Sequence, residues 1–492
     1  MRSTFMGLET ARRGMFAQQT ALYVTGNNIA NANTEGYSRQ RVNFTQTQTY
    51  PGVGLNRPQI PGQMGTGVAA GSIQRIRDEF IDSRYRGENN KLGYYSTKSD
   101  ALSRMEDILN EPTEEGLAAS LSAFWNSLQT LGSSPNESGA RESVIAQGNA
   151  LADTFNYMST SLETIMEDLK LSVKANIDTI NSIANQINEL NRQISEVEPH
   201  GDLPNKLYDE RDILVDQLSG LVNIKVTEEK SGGHASTLAE GVYKIEILGA
   251  SGNSLGVLVD KSTIATGPNN VSFSSDYKNV NFNSAQVPLS DISLGELKAN
   301  MEALTDKYPA MIENLDNLAY TLVKEFNKVH RTGDDLNGDQ GLDFFKDLNT
   351  STGAAKAISV EISDPVKIAA AADGAAAGNG DNAYSLAAIM TKNLSDFTTS
   401  AIGTTGNIQS FYAGVIASLG VETKESNVLT NNTLTLLDSV NTQRQSVSSV
   451  SLDEEMTDMI KYQHAYNASA RNITMIDEML DKIINGMGVV GR

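Results

Sequence analysis

Between positions 5 and 29 apolar side chains return every seventh residue, at Leu8, Met15, Leu22 and Ile29, with Phe5 and Ala11 beside them. That spacing draws one apolar seam along a helix. Near the other end Leu452, Met456, Met459, Tyr466, Ala470, Ile473, Leu480, Ile484 and Met487 advance in steps dominated by three and four, interrupted by the polar Gln463 and Asp477. The two seams predict one helix pair, parallel or antiparallel, that joins the ends of the chain as a coiled coil. Everything between them is then a single long excursion that returns to its starting place.

Inside the excursion the helical period is nearly unbroken from 137 to 197. Leu151, Phe155, Met158, Leu162, Ile165 and Leu169 step by four and three; Val173, Ile180, Ile183, Ile187, Leu190 and Ile194 resume after one extra four-residue step. Such a stutter relaxes a left-handed supercoil locally. About sixty residues at roughly 1.5 Å each give a rod of roughly 90 Å. A second helix is predicted near 209–221. Strand patterns follow at 223–226, at Tyr243, Ile245 and Ile247, and at 257–259, 271–273 and 280–282, separated by Gly, Ser and Asn turns. Helical spacing returns from Leu294 to Val329, and helices resume from Tyr384. Between them Ile358, Val360 and Ile362 alternate as a strand would, and the Ala/Gly-biased 369–380 stretch predicts a surface loop. Residues 41–90 show no sustained period, so an irregular or extended segment with a short helix near Ser83 is expected, and from Lys91 the pattern becomes helical.

These elements predict a mainly α, elongated, multidomain chain with β-rich insertions. Segments 1–40 and 450–492 form the terminal coiled-coil domain; 41–222, 293–331 and 384–449 form a discontinuous helical rod. A β-rich insertion occupies 223–292 and a second 332–383. Periodicity leaves open whether the insertions join in one outer domain.

Composition narrows the function classes. The 492 residues carry a net charge of −21, yet residues 1–104 stand at +6 and the remainder at −27. The N-terminal arginines are spread rather than clustered, which argues against a nucleic-acid arm. There is no cysteine, so thiolate metal sites, disulfides and cysteine nucleophiles are excluded. No apolar run reaches the length of a membrane span, and Glu9, Arg12 and Arg13 interrupt anything resembling a cleavable signal peptide. Export would need another route.

Candidate chemistry is sparse. Gly252, Ser254 and Gly256 fit the G-x-S-x-G spacing of a nucleophile elbow, but a strand pattern follows where that motif needs a helix, so a hairpin turn is expected. Asp335, Asn337 and Asp339 alternate like the first ligands of an EF-hand loop, whereas Gln340 replaces the required Gly and Lys346 the bidentate Glu. His200, His234, His330 and His464 have no partner at ligand spacing. Gly65, Gly67 and Gly71 have the wrong spacing for a dinucleotide loop. No catalytic residue, metal or cofactor is assigned.

The first helix runs into Asn27 to Gln40, NNIANANTEGYSRQ. Asn31, Asn33 and Gly36 favour left-handed backbone and local hydrogen bonds, so the helix should end there in a tight turn. ANANTEGYSRQ, together with the C-terminal SLDEEMTDMIKYQHAYNASARNITMIDEML, resembles the bacterial flagellar rod, hook and hook-associated axial proteins. The ending Gly36, Tyr37, Ser38, Arg39, Gln40 is similar to the hook-associated members rather than to the hook protein. NKLYDERDILVDQLS (205–219) and GDDLNGDQGLDFF (333–345) extend the likeness inward.

The resemblance implies a non-enzymatic, extracellular structural protein of the hook–filament junction, secreted through the flagellar type III channel. It implies a ring of copies, with hook protein and a second junction protein as neighbours and an export chaperone on the C-terminal helix. Asn31, Asn33, Thr34, Gly36, Tyr37, Ser38, Arg39 and Gln40 become its assembly motif. A hook or rod subunit is the alternative within the class; a secreted hydrolase or adhesin on an axial scaffold is the alternative outside it. The terminal seams should be loose in a free subunit, because ordering a helix costs backbone entropy that only covered apolar surface offsets.

Overall fold

The computed structural model describes residues 5–50, 62–109, 116–282, 285–397 and 399–486. The chain opens with helix α1 (Phe5–Ala30), then an antiparallel hairpin of β1 (Gln40–Gln46) and β2 (Val68–Arg75). Helices α2 (Glu79–Leu109), α3 (Leu117–Ser133), α4 (Ser138–Val197) and α5 (Asn205–Leu221) follow. Strands β3 (Ile224–Glu229), β4 (Val242–Leu248) and β5 (Ser254–Val259) form one antiparallel meander. After a one-turn helix α6 (Thr263–Thr266), β6 (Val271–Phe273), β7 (Asn279–Phe282) and β8 (Ala285–Pro288) form a second.

Helix α7 (Glu296–Glu302) continues through a π-helical turn, Ala303–Lys307, into α8 (Tyr308–His330). Pro309 accounts for the irregularity, since it lacks the N–H that a regular helix would bond to the carbonyl four residues back. The two-residue strands β9 (Gly333–Asp334) and β10 (Ala371–Ala372) pair with each other, and one-turn α9 (Ala354–Ala357) lies between them in sequence. Helices α10 (Asp381–Ala388), α11 (Ile408–Ser448) and α12 (Leu452–Gly486) complete the chain.

The 60-residue α4 is the spine. Leu151, Phe155, Leu162, Val173, Ile180, Ile187 and Ile194 are each completely or almost completely buried along its length. Near its C-terminal end three asparagines dock the β meanders. Asn181 exchanges two hydrogen bonds with the Val271 backbone at 2.8 and 2.9 Å, and Asn191 two with Tyr243 at 3.0 and 3.1 Å. Asn188 donates to the Thr263 carbonyl and accepts from its hydroxyl. The Asn181 and Asn191 amides each serve as one rung of a ladder to a strand, and Asn188 holds α6, so these backbone groups sit on the helix without being orphaned.

At the N-terminal end the buried Arg141 donates to the carbonyls of Pro135, Pro365 and Ile368. Burial without a facing carboxylate contact holds its pKa below the usual arginine value. Phe344 and Val360 close against Gly148 there, and Asn156 donates to the Ile358 carbonyl. The two insertions therefore pack on opposite ends of one long helix.

Four expectations need correction. The described residues between 41 and 90 are regular: β1 and β2 form the hairpin, and Ser83 lies in the first turns of the 31-residue α2, whereas 51–61 lie outside the described residues. The helical spacing that begins at Lys91 belongs to the same helix, and its continuity back to Glu79 is hidden because Asp82 and Asn90 occupy buried positions where apolar residues would have marked a period. Ile358, Val360 and Ile362 form no strand beyond a single bridge between Phe345 and Val360. Ala369, Ala370 and Ala371 are buried rather than part of a surface loop, because Ala369 caps the His330 ring and Asn382.

Around Phe326 the rings of Phe124, Phe344 and Phe345 stand 5.1–5.4 Å away, centroid to centroid, in tilted and edge-on geometry. Phe326→Ala should remove about 3–5 kcal/mol from this part of the body. Urea unfolding followed by the fluorescence of the single Trp125 would register the loss.

Candidate assembly interface

Helices α1 and α12 run antiparallel, and their contact is built from small residues. An added Cβ at Gly7 would come within 3.3 Å of Ile476 Cδ1, and at Gly14 within 3.2 Å of Ser469 Oγ. Seven residues further on, Ala21 is buried with Val24 and Val42 against Tyr462. Seven further again, Asn28 donates to Glu455 at 3.0 Å. Gly7, Gly14, Ala21 and Asn28 thus form a heptad stripe that lets the two backbones approach closely.

This stripe lies beside the one the apolar spacing indicates. Leu8, Ala11, Met15, Leu22 and Ile29 are half-buried, and Phe5, Phe16 and Tyr23 are exposed. On α12, Met459, Tyr466, Ala470, Ile473 and Leu480 are half-buried toward α1, whereas Leu452, Met456 and Ile484 are 50, 53 and 71% exposed. Met487 lies outside the described residues. The pair therefore spends little of its apolar surface on itself.

The Asn-rich turn is a joint. Asn31 bonds back to Asn27, Thr34 bonds Asn31, and Gly36 takes a positive φ of 77°. Any Cβ at Gly36 would strike the Ile213 side chain. Asn28 uses its whole amide: it donates to Glu455 and the Gln40 carbonyl, and accepts from the Gln40 N–H and the Tyr37 hydroxyl. Burial, with Asp209 and Glu455 nearby, pushes that hydroxyl up to about 12. Ser38 is buried and its N–H reaches Asp209 at 3.4 Å. Arg39 clasps Glu455 and Glu454, both at 2.6 Å. Asn33 and Thr34 line a cleft of about 710 Å³ shared with α5 and α11.

Below the joint lies a buried charge network that apolar periodicity could not reveal. Arg75 bonds Asp209 at 2.7 Å, Asp212 at 3.0 Å and also Glu240. Arg77 and Arg86 reach Asp212, both at 3.1 Å, and Arg444 pairs with Asp216 over the Tyr85 ring. Arg211 lies 3.3 Å over the Tyr243 ring and bonds Glu240. Burial alone would raise the Asp212 pKa, but Arg77, Arg75 and Arg86 hold it well below the usual carboxylate range. The signal was present: Asp209, Asp212 and Asp216 step by three and four, which places three carboxylates on one helical face.

The other candidates are accounted for locally. Ser254 opens β5 after a tight turn and donates to Glu246, so Gly252 to Gly256 is a hairpin. Lys367 sits in the Asp335–Asp339 loop at 3.0 and 3.3 Å from the two carboxylates, and supplies the cation there. His330 is buried; its Nδ1 faces the Leu342 carbonyl and its Nε2 accepts from the Ala369 N–H, so the ring is held neutral. Among the described residues no group of His, Asp and Glu side chains is arranged to hold a metal ion, and no helix is long and apolar enough to cross a membrane.

Comparison with known proteins agrees with this geometry. Residues 102–345 match the flagellar hook-associated protein FlgK helical domain. Residues 8–37 match the flagella basal body rod protein family, and residues 442–486 the flagellar basal body rod FlgEFG protein C-terminal family. Across its full length the chain is 44% identical to flagellar hook-associated protein 1 of Bacillus subtilis, all of which it covers. The chain belongs to the flagellar hook-associated protein 1 family.

The Escherichia coli hook-associated protein 1 is 25% identical over 97% of this chain and 99% of its own. The structure of the flagellar hook junction protein FlgK from Burkholderia pseudomallei superposes with a TM-score of 0.60 at 13% identity, over 74% of this chain and 100% of that one. The rod-type matches fall on α1 with its turn and on α12. The hook-associated match falls on the body, so the family's distinguishing part is the helical spine with its insertions.

The charge network gives a pH dependence with a defined sign. Desolvation of the carboxyl, with Glu79 and Glu240 close by, pushes Glu228, an exposed residue of β3, up to about 7. A raised folded pKa means stability present below about 4.5 that is lost as pH rises through 7. Glu228→Gln should therefore be neutral at pH 4.5 and stabilising by roughly 1 kcal/mol at pH 8, a value discounted for the group's exposure. Urea midpoints at the two pH values would check it.

Proposed function

We propose that this hook-associated protein 1 family member is a non-enzymatic ring component joining hook and filament in the extracellular flagellum. The observation that carries the reading is the terminal helix pair. Its seam is made of Gly, Ala and Asn, and its outward faces keep Phe5, Phe16, Tyr23, Leu452, Met456, Ile460, Met475 and Met479 exposed. Apolar stripes left uncovered along two long helices are surface held in reserve for other chains. Hook protein on one side, a second junction protein on the other, and further copies in the ring supply the cover. Before export, a chaperone that shields α12 would fill the same need.

The β meanders sit at the C-terminal end of the spine and face outward in this arrangement. Among their described residues nothing gathers a nucleophile, a base and an oxyanion site, so the scaffolded hydrolase has no observation in its favour. The motif Asn31 to Gln40 acts as the joint that sets the angle between the terminal pair and the body.

Deleting the gene should leave cells with hooks and no filaments, with filament protein lost to the medium. Electron microscopy and a blot of the medium read both; missing hooks, or normal filaments, would overturn the assignment. Ile473→Asp should keep the body folded and abolish incorporation at least tenfold, because a charge then lies where an apolar contact is needed. Backbone amide exchange on the isolated subunit should show weak protection from Leu8 to Ile29 that rises on assembly. Strong protection in the free subunit would sink the idea that ordering and assembly are coupled.

A further inference from the structure

Two helical faces of the body, one on α4 and one on α11, stand uncovered within the chain. On α4, Tyr157 and Leu171 are each 67% exposed; on α11, Val421 and Val428 are 67 and 50% exposed. On each helix the exposed apolar residues lie whole heptads apart, fourteen residues on α4 and seven on α11, which keeps them on one face, and α2 stands between the two helices.

The hydrogen bonds fix the directions. Arg84 meets Gln443 and Lys98 meets Glu422, so α11 runs antiparallel to α2. Arg86 meets Asp212 and Asp216 while Gly93 meets Gly220, so α5 runs parallel to α2. The tight turn at Gly201 returns α5 antiparallel to α4, with Arg211 on Asn191 and Tyr208 on Glu198. Helices α4 and α11 therefore point the same way.

They also stand at matching heights. Asn176 of α4 lies beside Glu296, whose backbone nitrogen borders Gly93 of α2. Ser99 bonds Asn427 at 2.5 Å, so the antiparallel path puts Gly93 opposite Thr433 to within about a turn. When Asn176 is level with Thr433, Leu171 is level with Val428, Thr164 with Val421 and Tyr157 with Gly414. Gly414 borders a groove of about 520 Å³ lined by Phe411, Met311 and Leu419. At the same setting Lys424 comes within one residue of the height of Asp168, an attractive pair, and Glu425 stands two residues short of Lys170.

We propose that the α4 face of one copy seats in parallel on the α11 face of the next, with Tyr157 entering the Gly414 groove and Leu171 packing on Val428. The inference rests on the reading that the chain assembles as a ring. Copies related by rotation about a common axis keep helix direction and height, so a parallel and level match between two different faces is what a closing head-to-tail ring requires. A two-fold dimer would instead pair each face with itself.

The absence of cysteine makes the test direct. Cells would carry the Leu171→Cys, Val428→Cys double variant as their only copy, and isolated hook–filament particles would be oxidised and run without reductant. A ladder beyond the dimer is expected, since Cα atoms in a packed contact come within the reach of a disulfide. Either single variant should stay monomeric. Replacing Val428→Cys by Val421→Cys shifts one thiol by roughly 10 Å and should cut the yield at least fivefold. Asp168→Lys should lower the yield severalfold, and adding Lys424→Asp should restore it. Particles that contain the protein yet give no ladder, cross-linking by a single variant, or equal yield from Val421→Cys would each overturn the pairing. Absence of the unsubstituted protein from such particles would instead overturn its place at the junction.

Discussion

One side chain, Asn28, holds the geometry at which the two halves of the molecule meet. Its amide has two donors and two acceptor sites, and each is used: toward α12 at Glu455, toward the Gln40 backbone in both directions, and toward Tyr37. A buried amide with every position committed cannot rotate without orphaning a partner, which costs about 1–3 kcal/mol per group left unpaired. Glu455, the one buried residue of α12 among those described, is tied to Arg39 by the same arrangement. Helix, turn, strand and returning helix are thereby locked at a single crossing.

From that crossing the constraint passes downward through charge rather than through apolar packing. Ser38 leads to Asp209, Asp209 to Arg75, Arg75 to Glu240, and Glu240 to Arg211 at the base of the β meanders. Buried ion pairs are weak evidence for stability, since desolvation offsets much of their attraction. Their value is geometric. Arg75 and Asp212 can satisfy so many partners only if α2, α5, β2 and the loop before β4 hold one mutual placement. A greasy contact at the same spot would slide, and the joint would no longer fix the angle of the terminal pair.

The long spine, the β meanders and the existence of the terminal helices were legible in the sequence, because each rests on a regular apolar period. The phase of the terminal seam was not. Leu8, Met15, Leu22 and Ile29 mark an apolar stripe, and an apolar stripe ordinarily marks the inner face. Here the intramolecular contact runs along Gly7, Gly14, Ala21 and Asn28, which have no hydropathy signal. The first half of helix α2 shows only as a short helix near Ser83 for a related reason, since Asp82 and Asn90 fill buried positions through hydrogen bonds. Likewise the acidic face of α5 was visible as spacing, but its arginine partners arrive from β2, α2 and α11, and no local pattern announces them.

These misreadings share one cause, and it bears on how the molecule works. Where a subunit must keep apolar surface for neighbours, its own joints have to be made from something else. Small residues allow close backbone approach while covering little area, and buried asparagines and ion pairs specify placement while adding modest net stability. A terminal pair closed by leucines on both faces would be stable alone and would have nothing left to offer a neighbour. The Gly–Ala–Asn stripe with exposed Phe16, Tyr23, Met456 and Met479 around it is the opposite solution. It sets the direction of the two helices within one chain and, on the proposed reading, leaves their burial, and so most of their stabilisation, to be supplied by the assembly.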